Sequence, residues 1–190
     1  MQEIDQLLQT GKYELAIKEL NYIIAEEPED FDSILKVSVA YIENDELEKG
    51  KKALDYFISN IEDDPEAYEA LGVYYLKNEN IQESEESFVR ALELDPNNGN
   101  IHRNIAMLYK MNHDIEKSSF HLLRAVELDP ENYLTQIALA QVLLETGDFY
   151  EASVILNNIL HYDIDIPEDK VEYIEKLLDF MNTYGDSDEV

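Results

Sequence analysis

PEAYEALGVYYLKNENIQESEESFVRALELDPNN, residues 65–98, decides the fold of this chain. It reads as two amphipathic stretches joined by a polar break at Asn78. Leu71, Tyr74 and Tyr75 in the first, and Leu92 and Leu94 in the second, fall at helical rather than strand spacing. Gly72 and Ser84 are the small residues of the two stretches, and they let two helices approach closely where a Leu would force them apart. Pro96 follows the second stretch, because proline cannot continue a helix. The segment is a helical hairpin with an apolar face that it cannot bury by itself.

Working outward, the same pattern returns every 34 residues when Phe31, Pro65, Gly99 and Tyr133 are placed under one another. The seventh column reads Val37, Leu71, Ile105, Leu139, and the eighth reads Ser38, Gly72, Ala106, Ala140, all small. The eleventh is Tyr41, Tyr75, Tyr109, Leu143; the twentieth is Gly50, Ser84, Ser118, Ala152. Leu54, Phe88, Leu122, Leu156 and then Phe57, Ala91, Ala125, Ile159 supply the apolar face of the second helix. Upstream, Ala16, Leu20, Ile23 and Pro28 continue these columns, so the chain opens with a unit whose leading helix is only about residues 2–9. Downstream, a further helix follows Pro167, with Val171, Ile174, Leu177 and Leu178 on its inner side and Glu168, Asp169, Glu172, Glu175 and Asp179 on its outer side. Asn44, Asn78 and Asn112, with Gly11 and Gly147 one column later, are expected to supply left-handed backbone at the turns. Asp45, Asp114 and Asp148 are expected to cap the second helices.

The pattern resembles the tetratricopeptide repeat (TPR) family. Tyr68, Leu71, Gly72, Tyr75, Ser84, Phe88, Ala91 and Pro96 match its motif, with Tyr for the usual Trp and Ser for one Ala, and Ile105, Ala106, Tyr109, Leu122 and Ala125 repeat it. Departures are Gly50, and Glu62 and Ile164 where Pro is usual. The resemblance implies an all-α fold, a right-handed α-solenoid of about five helix-turn-helix repeats: 1–30, 31–64, 65–98, 99–132 and 133–166. A capping helix over 167–184 and a flexible acidic tail over 185–190 complete one array. Stacked hairpins bury each other's apolar faces, so stability is shared between neighbours.

Composition narrows what such an array can do. There are 43 acidic and 14 basic residues, a formal net charge of −29, which opposes binding to nucleic-acid phosphates. Cysteine is absent, which excludes disulfides, thiol catalysis and Cys-based zinc sites and fits a reducing compartment. Residues 1–10 lack the apolar core of a signal peptide, and no run approaches the ~18 apolar residues of a membrane span, so membrane insertion is not expected and a cytoplasmic location is. No HExxH pair, Walker A loop, GxSxG elbow, GxGxxG or calcium-hand loop occurs. His102 sits at a column usually packed inside the hairpin, His113 lies in a turn, and His121 and His161 lie on second helices of different units. No nucleophile with a base and an orienting group can be named, so the expectation is a protein that is not an enzyme, with no cofactor, metal or catalytic residue.

The family implies where a ligand would sit: on the first helices, at columns 2, 5, 6, 9, 12 and 13. Carried over, these columns give a groove of Lys36, Val39, Ile42, Val73, Leu76, Lys77, Arg103, Asn104, Met107, Lys110, Met111, Ile137, Gln141 and Leu144. An apolar stripe with a cationic rim fits an amphipathic helix or extended peptide carrying apolar and acidic residues. The competing reading is that packing between neighbouring first helices consumes the stripe. One TPR sub-type clamps terminal carboxylates of chaperones with a spaced Lys, Asn, Asn, Lys, Arg set; here only Arg103 and Asn104 match. The expected partner is therefore a protein or peptide, and the expected function is that of a scaffold or adaptor. The alternative is a homo-oligomer built by end-to-end stacking, in which the short leading helix does not fully cover Tyr13, Ile17 and their neighbours. Glu62, Asp63, Asp64 and Glu83, Glu85, Glu86 form acidic clusters read as solvated surface.

Overall fold

The computed structural model describes residues 2–161 and 166–184, and every regular element among them is an α-helix. Two compact units divide the chain, Met1–Pro96 and Asn97–Val190. The first holds α1 (Gln2–Gln9), α2 (Tyr13–Glu26), α3 (Phe31–Glu43), α4 (Leu47–Asn60), α5 (Pro65–Lys77) and α6 (Ile81–Leu94). The second holds α7 (Gly99–Met111), α8 (Ile115–Leu128), α9 (Tyr133–Thr146), α10 (Phe149–His161) and α11 (Glu168–Tyr184). Ile164 and the acidic tail over 185–190 lie outside the described residues.

Local chemistry explains where the helices begin. Asp30, Asp64, Asn98 and Asn132, each one residue before a first helix, accept a hydrogen bond from a backbone N–H of the opening turn: from Ser33 at 3.2 Å, Ala67 at 2.9 Å, Asn100 at 3.0 Å and Thr135 at 3.1 Å. Among the second helices, Asp114 caps α8 through the Lys117 N–H at 3.2 Å. Asp45 does not cap α4; Glu46 occupies that position and makes no side-chain cap, because Asp45 is taken up in the turn.

The turns differ from expectation by one residue. Asn44, Asn78 and Asn112 have φ of −83°, −90° and −85°, and the left-handed conformation falls on the next position. That position is Gly11, Asp45, Glu79, His113 and Gly147, with φ of 70°, 59°, 60°, 59° and 87°. Two backbone bonds fix each of these turns. The left-handed residue's N–H reaches three residues back, and the next N–H reaches five back: Lys12 to Leu7, Glu46 to Tyr41, Asn80 to Tyr75, Asp114 to Tyr109 and Asp148 to Leu143, all at 2.8–2.9 Å. Carbonyls left free by the ending helix are thereby satisfied.

Within each hairpin the small columns are steric requirements. A Cβ on Gly72 would lie 2.5 Å from the Phe88 ring, and one on Gly50 would lie 2.6 Å from Ile42 Cγ1 and 3.0 Å from the Ser38 carbonyl. Gly50 therefore does not break α4, which runs unbroken from Leu47 to Asn60 around the close approach. Where the twentieth column is Ser, its hydroxyl also ties the helices together: Ser84 Oγ donates to Gly72 O at 2.8 Å and Ser118 Oγ to Ala106 O at 2.9 Å.

In the first unit Ile4, Ile17, Leu20 and Val37 form one buried cluster and Ile34, Leu35, Ile42, Leu54 and Phe57 another. The expected exposure of Ile17, which motivated end-to-end stacking, is not found: α1 lays Ile4 in the same cluster and Ile17 is only 9% exposed. In the second unit Ala106, Leu122, Leu139 and Val142 pack between hairpins, and Ile137, Leu156 and Ile159 pack against Ile174 and Met181 of α11. Each such Leu, Ile or Phe contributes about 1.5–3 kcal/mol relative to an exposed side chain. Leu177 and Leu178 join that cluster, and Glu168, Asp169, Glu172, Glu175 and Asp179 face solvent, so α11 closes the second unit as its periodicity predicts.

Candidate functional site

The first helices carry the expected ligand columns, and the two units treat them differently. In the first unit the stripe is largely core. Ile42 and Leu76 are 1% and 3% exposed, and Val39 and Val73 pack against the Ile42 cluster. These residues hold α3 and α5 together because the twelfth column points between neighbouring first helices.

Cations of the first unit are engaged as well. Lys36 Nζ lies 3.0 Å from Asp5 of α1 and 3.1 Å from Asp32 of its own helix. Lys77 Nζ lies 3.0 Å from Asp45 and 3.5 Å from Glu43 of the preceding hairpin. Partial burial lowers the pKa of both lysines, and hydrogen bonds with the paired carboxylates outweigh it, so both stand above the ordinary lysine value. These pairs stitch α1 to α3 and α3 to α5. Each remains part-solvated and contributes about 0–1 kcal/mol.

In the second unit α7 presents one continuous strip: Asn100, Arg103, Asn104, Met107, Lys110 and Met111, at helical spacing. Met107 and Met111 are 50% and 48% exposed, unlike their counterparts Val73 and Lys77 of the preceding hairpin, which pack or pair. Arg103 is half-buried and forms no ion pair among the described residues. Lys110 is committed, its Nζ lying 2.8 Å from Glu145 of α9. Beside α7, α9 contributes Leu134, exposed, and Gln141, whose Nε2 donates to the Tyr173 hydroxyl of α11 at 2.6 Å. Ile137 is buried at 6% and Leu144 packs on the terminal cluster, so both serve the core. The strip therefore offers two thioethers, one guanidinium and the amide of Asn100, with Asn104 half-buried beside them.

The charge pairs and the caps of the first helices were not anticipated from sequence. Their signal is present: Asp or Asn recurs every 34 residues at positions 30, 64, 98 and 132, and opposite charges sit 31 to 35 residues apart, the offset between adjacent first helices. Outside this face, Asp64 of one acidic cluster is the α5 cap and Asp63 pairs with Arg90, so part of that cluster is structural. Among the described residues no three His, Asp or Glu side chains gather as a metal site. No described helix is long and apolar enough to cross a membrane.

Two family models described as tetratricopeptide repeat match, over residues 65–98 and 87–118. No curated protein matches the chain. Among solved structures it is similar to TTC0263, described as a thermophilic TPR protein in Thermus thermophilus, with 16% identity over 94% of this chain and 97% of that one and a TM-score of 0.82. It is also similar to pilF of Pseudomonas aeruginosa, with 12% identity over 96% and 89% of the two chains and a TM-score of 0.68. A third similarity is to human IFIT1, solved as a dimer with PPP-AAAA, with 16% identity over 89% of this chain but 40% of that one, at a TM-score of 0.77. At these identities the likeness concerns the fold alone.

Proposed function

Because the chain is a tetratricopeptide repeat protein, we propose that it is a non-catalytic adaptor that holds a segment of a protein partner on the α7 strip of its second unit. Repeat arrays of this fold serve protein–protein interaction, and the fold says how contact is made, not with what. The observation that carries the location is the exposure of Met107 and Met111 on the same face as Arg103, while the matching positions of the first unit are packed or paired. Methionine adapts its shape to an apolar guest at little cost. Arg103, which forms no ion pair among the described residues, supplies the charge that a guest carboxylate would meet. The bound segment is therefore an amphipathic helix or extended peptide with apolar side chains and at least one acidic group. Lys36, Lys77 and Lys110 take no part in contacting it, since each already holds a carboxylate of the chain. A net charge of −29 disfavours nucleic acid on this surface, and the absence of cysteine fits a cytoplasmic setting.

The test is selection from a displayed peptide library against the whole protein, with Arg103→Glu/Met107→Asp as the comparison. Wild type should enrich apolar segments bearing Asp or Glu, and the variant should lose them while keeping its helical circular dichroism. Equal capture of the same peptides by both proteins would refute the assignment.

A further inference from the structure

The chain has four methionines and no cysteine. In a protein without thiols, thioethers are the softest nucleophiles that an oxidant meets. Three of the four lie among the described residues, and the fold treats them unequally. Met181 is 5% exposed, packed in the terminal cluster with Leu156 and Ile174. Met107 and Met111 stand half in solvent. Arg103, Met107 and Met111 fall at i, i+4 and i+8 of α7, a single row along one face of the helix.

We infer that Met107 and Met111 are a reversible oxidation site: a peroxide converts their thioethers to sulfoxides, and the α7 strip then no longer holds an apolar, acidic segment. The consequence for the guest rests on the adaptor reading; the site of oxidation does not. The step balances. A sulfur lone pair attacks one peroxide oxygen, and an S–O bond forms as the O–O bond breaks. The departing hydroxide takes the proton of the transferred oxygen and leaves as water. Sulfur gives up two electrons and the peroxide accepts them. Reversal consumes two thiols of a separate reductase, which become a disulfide as the sulfoxide oxygen leaves as water. Lacking cysteine, the chain neither diverts the oxidant to a thiol nor repairs itself.

Two effects on the strip follow from the row. Each sulfoxide turns a flexible apolar side chain into a polar one, and Met107 and Met111 are the apolar part of what α7 presents. Each sulfoxide oxygen is also a hydrogen-bond acceptor. Residues four apart on a helix have Cβ atoms about 5–6 Å from one another, which brings an oxygen on Met107 within reach of the Arg103 guanidinium. That guanidinium forms no ion pair among the described residues. The sulfoxide therefore competes for the group that a guest carboxylate would meet. A bound segment in turn covers both sulfurs and slows their oxidation.

The experiment exposes the whole protein to graded hydrogen peroxide and follows each methionine by peptide mass spectrometry. Met107 and Met111 should oxidise at least about tenfold faster than Met181, with helical circular dichroism unchanged. Methionine sulfoxide reductases of both stereospecificities, supplied with a thiol, should return both to thioethers. Equal rates at the three positions, or Met181 oxidising first, would sink the site. Oxidised and untreated protein then go through the displayed-peptide selection side by side. Oxidation should cut the yield of apolar, acidic segments by about tenfold or more, and the reductases should restore it. Met107→Leu/Met111→Leu, with no thioether on the strip, should give the same yield before and after peroxide, whatever that yield is. Met181→Leu should respond as wild type does. Undiminished capture by oxidised wild type, or an equal loss in the doubly substituted protein, refutes the closing of the strip. Untreated protein that captures no peptide would instead defeat the adaptor reading, and the oxidation rates would still decide the site.

Discussion

Gly72→Ala adds a single methyl group to the tightest contact in the third hairpin. Two effects oppose each other. Alanine in a helix interior is worth about 1 kcal/mol over glycine. Against it, the new Cβ would lie 2.5 Å from Cδ1 and Cε1 of Phe88. Ordinary carbon contacts lie at about 3.5–4.0 Å, so the helices or the ring must move by about 1 Å. Phe88 is 0% exposed and cannot swing into solvent. Overpacking of a filled core costs about 1–3 kcal/mol, and a rigid ring with no outlet belongs at the upper end. Separation of the helices would also stretch the bond from Ser84 Oγ to Gly72 O, now 2.8 Å. The net loss is about 1–2 kcal/mol, or roughly 2–8 °C in Tm for a chain of this size. Urea and thermal unfolding by circular dichroism measure it. Phe88→Leu, destabilising alone, should be less so in the Gly72→Ala background, with a coupling of at least about 1 kcal/mol. A rise in Tm on Gly72→Ala, or strict additivity in the cycle, would refute the claim that the small column exists for close approach.

Three further outcomes follow from the same geometry. Asp64→Ala removes the α5 cap to the Ala67 N–H and should cost about 1 kcal/mol, seen as faster hydrogen exchange at the Ala67 amide. His121 has a folded pKa of about 4, below its ordinary 6.5, so the unfolded chain takes up its proton first as the pH falls. Its contribution is therefore complete above pH 6.5 and lost as the pH drops toward 4; because the ring is half solvent-facing, the loss is on the order of 1 kcal/mol. The urea midpoint of wild type should accordingly fall between pH 6.5 and 5.5 more steeply than that of His121→Asn, and identical slopes would remove His121 from the account. Lys77→Met should change stability by less than about 1 kcal/mol at low salt and by nothing measurable at molar salt, where the Debye length is about 3 Å.

Much of this fold is readable from one 34-residue register, because each structural requirement repeats at a fixed column. Small residues at Gly72 and Ser84, bulky ones at Phe88 and a break at Pro96 describe a hairpin before any contact is known. The candidate face was less legible. Whether Ile42 or Met107 is exposed depends on how closely adjacent first helices lie, and that distance is set by both partners rather than by either column alone. Lys36, Lys77 and Lys110 read as a cationic rim until the acids facing them across 31 to 35 residues are placed beside them. His102 was readable as a hairpin-interior residue, but its partner His121 was not, since 19 residues and a turn separate two groups that the antiparallel packing brings to 3.0 Å.

The hairpin turns carry a consequence for how such a chain can change over time. Glycine, aspartate, glutamate and histidine all occupy the same left-handed position, because the main chain alone, through its paired N–H donors, sets the geometry there. Side chains at that point can drift without cost to the bend beyond the modest strain of a non-glycine residue. A repeat bent by amide hydrogens tolerates different residues at the bend, and the same bend closes five successive hairpins, beyond the residues 65–98 and 87–118 that the family models match.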